Sequence, residues 1–222
     1  MTGSRSGTSS EEGALRVVEL GRIDYAKAWD LQRETVDGRI AGEIPDTLFL
    51  CEHNPVITTG RGTKEGFLLE PERFPVIDIE RGGEATWHGP GQLVAYPVLA
   101  LPEGRRDLHR YLRDLEEVLL RTLTHFGLEG ERRSGWTGAW VGERKVASIG
   151  VAVRRWVTYH GLALNVCPDL SVFTALRPCG LDAAQMTSLS GLLGRELGLD
   201  EVKEPLAEAF AAIFKRRILG TT

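Results

Sequence analysis

Arg81-Gly82-Gly83-Glu84-Ala85-Thr86-Trp87-His88-Gly89-Pro90-Gly91-Gln92 holds four glycines, a proline and a histidine in twelve residues, a composition that no ordinary core element has. Glycine lets the backbone take positive φ and approach a ligand closely, and Pro90 stiffens the turn between Gly89 and Gly91. Apolar runs at 76–79 and 93–96 flank the stretch, so the chain reads as strand, ligand loop, strand. Because a glycine pattern alone is a weak signal, a plain glycine-rich hairpin is the competing reading, and the rest of the chain has to decide.

With 222 residues, 42% of them hydrophobic, the chain has enough apolar surface for a substantial core, and no linker divides it. We expect one domain over residues 14–219 and a disordered, polar tail over 1–13. A net charge of −4 argues against a nucleic-acid binder. Three cysteines without a short-spaced pair fit a reducing compartment, so the expected location is cytoplasmic, with no disulfide framework and no metal site of the CxxC kind. The longest apolar run, 93–101, is nine residues and contains Pro97, too short to cross a membrane. Only five of the 27 basic residues are lysine, so Lys145, inside an apolar stretch, stands out as a group that has to lose a proton.

Residues 15–20 read as a first strand, followed by a helix capped by Asp24 with Ala26, Trp29, Val36 and Ile40 on one face. Residues 47–51 and 56–59 are strands, with His53 at a strand end, where a structural hydrogen-bonding role is the simpler reading. Asp107 caps the clearest helix, whose stripe runs through Leu108, Tyr111, Leu115, Val118, Leu119, Leu123 and Phe126 and stops at Gly127. Strands at 145–153 and 157–166 pair around Arg154 and Arg155. Their small residues Ala147, Ser148, Gly150, Gly161 and Ala163, beside Ile149 and Leu162, leave either room for a lipid-like tail or a tight strand crossing. Met186-Thr187-Ser188-Leu189 begins a short helix, and Pro205 opens the last one, with Leu206, Phe210, Ile213 and Phe214 facing inward. Cys179 lies between Pro178 and Gly180 in a turn, where a thiol is accessible, whereas Cys51 and Cys167 lie in or at the end of apolar strands and read as inert.

Residues 81–92, EHNPVITTGR at 52–61, KVASIG at 145–150, HGLALNV at 160–166 and RPCGLDAAQMTSL at 177–189 together resemble the octanoyltransferases of lipoate synthesis. The resemblance runs from about residue 15 to 217. It implies an α+β fold similar to the catalytic domain of biotin and lipoate protein ligases, a mixed sheet with packed helices plus a smaller sheet. It also implies an enzyme without cofactor or metal that moves octanoate from acyl carrier protein to a lysine of lipoyl domains, those of 2-oxoacid dehydrogenase complexes and of the glycine cleavage H protein. Cys179 takes the position of the family's acyl-thioester cysteine and Lys145 that of its partner lysine. The acyl-holding segments map onto Arg81, Gly82, Gly83, Glu84, Ala85, Thr86, Trp87 and His88, onto Ser148, Ile149 and Gly150, and onto Gly161, Leu162 and Ala163.

The residue chemistry stands beside that resemblance. A thiolate opens a thioester, and the new enzyme thioester is open to an amine, which divides one hard transfer into two easier ones. An attacking lysine must first lose a proton, so a base is needed. Lys145 can act in its uncharged form, which burial favours because desolvation disfavours an ammonium; arginine cannot. His88 is the rival base, and on the resemblance we prefer it as a structural or polar partner. The arginine pairs 105–106, 132–133 and 154–155 are candidates for steering acidic carriers, with solvated turn charge as the plainer reading. An ATP-using lipoate or biotin ligase would leave Cys179 unexplained, a non-catalytic acyl-binding module would form no adduct, and a cysteine hydrolase would release free acid.

Overall fold

The computed structural model describes residues 13–177 and 181–221. The expectation of a disordered tail over 1–13 falls almost wholly outside the described residues, and so does the turn at Cys179. Strands β1 (Ala14–Ile23), β2 (Asp46–His53), β6 (Gln92–Val98), β7 (Glu131–Arg133), β8 (Trp136–Val141), β9 (Arg144–Arg154), β10 (Val157–Asn165) and β11 (Arg217–Thr221) form one sheet in the order β11-β1-β2-β6-β10-β9-β8-β7. A second sheet, β4-β3-β5, is made from β3 (Val56–Thr59), β4 (Val76–Asp78) and β5 (Thr86–His88). β1 is parallel to β2 and β11, while β2, β6, β10, β9, β8 and β7 run antiparallel in succession. This is the mixed sheet plus smaller sheet that the resemblance implies.

β2, β6 and β10 are central and covered on both faces, which is why they read as nearly continuous apolar runs. Successive side chains still go to opposite faces. Leu48, Leu50, Leu93, Ala95, Leu162 and Leu164 meet helices α2 (Leu108–His125) and α4 (Asp200–Phe214). Phe49, Cys51, Val94, Tyr96 and Ala163 meet helix α1 (Tyr25–Ala41). In α2 the Asp107 carboxylate accepts from Arg110 N at 3.1 Å, and Tyr111, Leu115, Val118, Leu119 and Leu123 are buried as the stripe requires.

Helix α1 departs from the expected face. It buries Tyr25, Ala28, Gln32 and Val36, while Ala26 is exposed and Trp29 only partly covered. Gln32 is held inside by two hydrogen bonds, to Ala28 O at 3.2 Å and from His160 N at 2.8 Å, so a polar partner across the interface sets the helix's rotation. Asp24 occupies the N-cap position, as expected, but its side chain makes no cap hydrogen bond; it accepts instead from the Asn54 side chain. Helix α4 begins at Asp200, earlier than expected, with Pro205 inside it. Val202 is fully buried in that early part, and its packing outweighs the hydrogen bond that the proline lacks. Short helix α3 (Leu189–Leu193) follows Ser188, whose Oγ accepts from Gly191 N at 3.2 Å, as the hydroxyl cap predicts.

The two glycines expected to leave room for a tail also sit at close backbone crossings. A Cβ on Gly161 would lie 2.1 Å from Ala95 O, and one on Gly150 would lie 2.9 Å from Gly82 O. Both positions are therefore demanded by close backbone crossings, the alternative that their sequence context left open.

Candidate active site

The loop at 81–86 is strapped on two sides. Arg61 N donates to Arg81 O at 3.0 Å, Gly62 N to Gly83 O at 2.9 Å, and Gly82 N to Val151 O of β9 at 2.9 Å. The buried Arg81 guanidinium donates to Thr58 O and Thr58 Oγ1, both at 2.9 Å, and to Gly82 O at 3.1 Å. The second half of the glycine-rich stretch has a structural task. Gly91, at φ 83°, accepts from Val166 N and Cys167 N at 3.0 and 2.9 Å, and a Cβ there would meet the Cys167 carbonyl at 2.6 Å.

So anchored, the loop separates two cavities. The inner one, a narrow cleft of about 30 Å³, lies on the α1 face of the sheet and is lined by Arg81, Gly83, Thr86, His88, Ser148, Ile149, Gly150, Gly161, Leu162 and Ala163, together with Tyr25, Val94, Tyr96 and His160. The outer one, about 500 Å³, is bordered by Gly82, Glu84, Phe67, Leu112, Trp136 and Lys145, and it shares Gly83, Ile149 and Gly150 with the inner one. Ala85 and Trp87, expected at the acyl site, line neither: β5 alternates, sending Thr86 and His88 to the cavity and Ala85 and Trp87 into a separate core with Ile57, Phe173 and Leu176.

Lys145 is 1% exposed, its Nζ 5.8 Å from the Trp140 ring centroid, and among the described residues no carboxylate pairs with it. Gly138 makes the space: a Cβ there would lie 2.8 Å from Lys145 Cε. The segment that follows Cys179 returns to this lysine. Met186 bridges Lys145 in parallel, and Thr187 N donates to Lys145 O at 3.0 Å.

The wall of the inner cavity is a cluster of uncharged rings. Burial pushes the His88 imidazole well below the usual histidine range, with His53 and the Arg81 cation adding to the effect. Burial likewise lowers His53, and lowers His160 to about 4. It raises the hydroxyls of Tyr25 and Tyr96. Tyr25 stacks on His88 with ring centroids 5.7 Å apart, and Tyr96 OH donates to His53 Nε2 at 2.7 Å. His160 holds φ at 54° within β10, a strained value for this residue type.

The family of the lipoyl protein ligase A/B catalytic domain matches residues 24–211. An octanoyltransferase of Geobacter metallireducens is 45% identical, the match covering 92% of this chain and 95% of the relative. One from Mycobacterium tuberculosis is 47% identical over 96% of this chain and 91% of the relative. The chain belongs to the octanoyltransferase family. Solved structures agree in fold: the bipartite lipoate protein ligase of Thermoplasma acidophilum superposes with a TM-score of 0.75 at 16% identity, covering 94% of this chain and 87% of that one. Biotin protein ligase from Aquifex aeolicus follows at 0.54 and 12%, covering 91% and 70%.

For an octanoyltransferase, sequence reasoning placed most of the cavity but missed Tyr25, Val94, Tyr96 and His160. Only His160 carried a usable signal, a histidine opening the small and apolar run 161–164. Cys51 is buried and its thiol is pushed up by burial, as an inert residue requires. Cys167, in contrast, is exposed, because β10 ends at Asn165 and the chain turns outward. Accessibility therefore does not by itself single out Cys179. Partial burial, with Glu52 and Glu196 nearby, raises the Cys167 thiol and disfavours its thiolate.

Proposed function

We propose that this octanoyltransferase takes its acyl group from octanoyl-acyl carrier protein onto Cys179 and passes it to a lysine of lipoyl domains, those of 2-oxoacid dehydrogenase complexes and the glycine cleavage H protein, in the cytoplasm. The observation that carries the reading is Lys145, enclosed and without a carboxylate neighbour among the described residues, bordering a groove beside the inner cavity, with Thr187 hydrogen-bonded to its backbone. Lys145 takes the Cys179 proton, the thiolate attacks the donor thioester, and the departing carrier thiolate takes that proton back from Lys145; the enzyme thioester then loses its acyl group to the incoming amine, whose proton passes to Lys145 and on to the released Cys179 thiolate. The inner cavity, on the α1 face, holds the chain against Val94 and Ala163. The pairs 105–106 and 154–155 are the favoured docking charges. They come near one another where Leu101 N donates to Trp156 O at 2.8 Å and Arg106 lies over the Trp156 ring; Arg154 is paired with Asp37, and Arg132 is engaged by Glu116 and Glu117.

Mass spectrometry of the chain incubated with octanoyl-acyl carrier protein tests this. An octanoyl adduct that forms without ATP, survives in Cys51→Ala and Cys167→Ala, and is lost in Cys179→Ala is the expected result; an adduct on either other cysteine ends the proposal.

A further inference from the structure

A chain of three buried side chains leads from the inner cavity to the lysine segment. The Thr187 carbonyl can only accept, so Asn165 turns its amide nitrogen to it, Nδ2 to O at 3.0 Å, and presents its oxygen to Gln92. Gln92 Nε2 donates to that oxygen at 2.9 Å, which leaves Gln92 Oε1 facing His88 Nδ1 at 2.7 Å. An amide oxygen accepts only, so Nδ1 carries the hydrogen, and in the neutral ring Nε2 is bare. His88, Gln92 and Asn165 are 6%, 2% and 1% exposed, so water does not reorder these assignments. His53 shows the same device: its Nδ1 donates to Ile23 O at 2.8 Å, and its bare Nε2 takes the Tyr96 hydroxyl. On His88 no described residue takes up Nε2, and the ring lines the cavity.

We propose that Gln92 and Asn165 are positioning residues: their amides, anchored on the Thr187 carbonyl, hold His88 as the tautomer with hydrogen on Nδ1, so that the acyl cavity meets a lone pair rather than a donor or a cation. The same relay fixes Thr187, whose N–H holds the Lys145 carbonyl at 3.0 Å, and so sets the lysine's strand against the cavity wall. A cationic imidazole would place a desolvated charge beside an alkyl chain, and the adjacent Arg81 makes it worse. The other groups facing His88 are Tyr25 from α1, His53 from β2 and His160 from β10, all uncharged rings that offer no compensating anion.

The tautomer is read directly by nitrogen-15 NMR of the histidine-labelled full chain at pH 7, with His88→Gln assigning the signal. Hydrogen on Nδ1 is the expected result; hydrogen on Nε2 overturns the proposal. This arm needs no substrate and stands apart from the acyl-transfer reading, on which only the rate arms depend. Gln92→Glu places a carboxylate against Nδ1 and is expected to raise the pH at which the ring takes a second proton by at least about one unit. Octanoyl transfer then falls on the acid side of that new value, whereas a purely structural part would lower transfer equally at every pH. Asn165→Asp removes the donor to Thr187 and is expected to lower kcat about a hundredfold, the scale of a misplaced reacting group, with KM for the acyl donor little changed. Equal kcat in Asn165→Asp, or a pH profile of Gln92→Glu identical to that of the parent, counts against the relay.

Discussion

The two faces of the eight-stranded sheet are buried by helices of opposite character. Against α2 and α4 the sheet turns Leu48, Leu50, Leu93, Leu162 and Leu164, and the contact is apolar. Against α1 it turns Tyr96, and the space there is shared by Tyr25, Gln32, His53, His88 and His160. Every fully buried leucine on the first face contributes about 1.5–3 kcal/mol to stability. The second face carries polar rings whose hydrogen bonds only offset the cost of removing them from water. One face holds the fold and the other holds a cavity.

The largest expected effect lies where the two faces meet. Lys145→Arg keeps a positive charge but cannot take a proton, and a loss of on the order of 10² to 10⁴ in transfer rate is expected if the lysine is the base. Circular dichroism would show a folded variant; a rate within about tenfold of the parent, only about 1.4 kcal/mol, would remove the obligatory base.

On the apolar face, Leu119→Ala should lower unfolding stability by about 2–5 kcal/mol in denaturant titration. Turnover per folded molecule should stay unchanged, and a loss of activity without a loss of stability would erase the division between the faces. The polar face is expected to fail in acid instead. His160, held at about 4 when folded, binds a proton in the unfolded chain first, so its share of stability is whole above the ordinary histidine value near 6.5. That share, up to about 3 kcal/mol, drains as the pH falls from about 6.5 to 4, and His53 and His88 act in the same direction. Calorimetry across that window should show His160→Gln with a flatter pH dependence than the parent. The smallest effect concerns the strand crossing: Gly161→Ala drives a Cβ toward Ala95 O and should cost about 1–3 kcal/mol. Octanoyl and shorter donors should then suffer alike if the crossing dominates; selective loss of the long donor would show that Gly161 matters chiefly as part of the cavity wall.

Legibility followed the same division. The α2 stripe was readable because its neighbours are apolar and periodicity records that. The buried side of α1 was not, since Gln32 is inside only because His160 N meets it across the fold. Tyr25 and Tyr96 look like ordinary strand and helix aromatics until the cavity brings them to His88 and His53. The two halves of the glycine-rich stretch differ: Arg81, Gly83, Thr86 and His88 line the inner cavity, and Gly89 and Gly91 serve close packing against Trp87 and Cys167.

By itself the sequence determined most of the long strands and the dominant helix through local composition and spacing, and the family through the resemblance of its motifs, while β5, β7 and β11 went unread. Tertiary structure alone decided which side of the loop each residue serves, how α1 is turned and which nitrogen of His88 holds its hydrogen. Those outcomes depend on contacts such as Gln92 with Asn165, 73 residues apart, and a hydrogen bond between distant residues leaves no periodic trace in either segment.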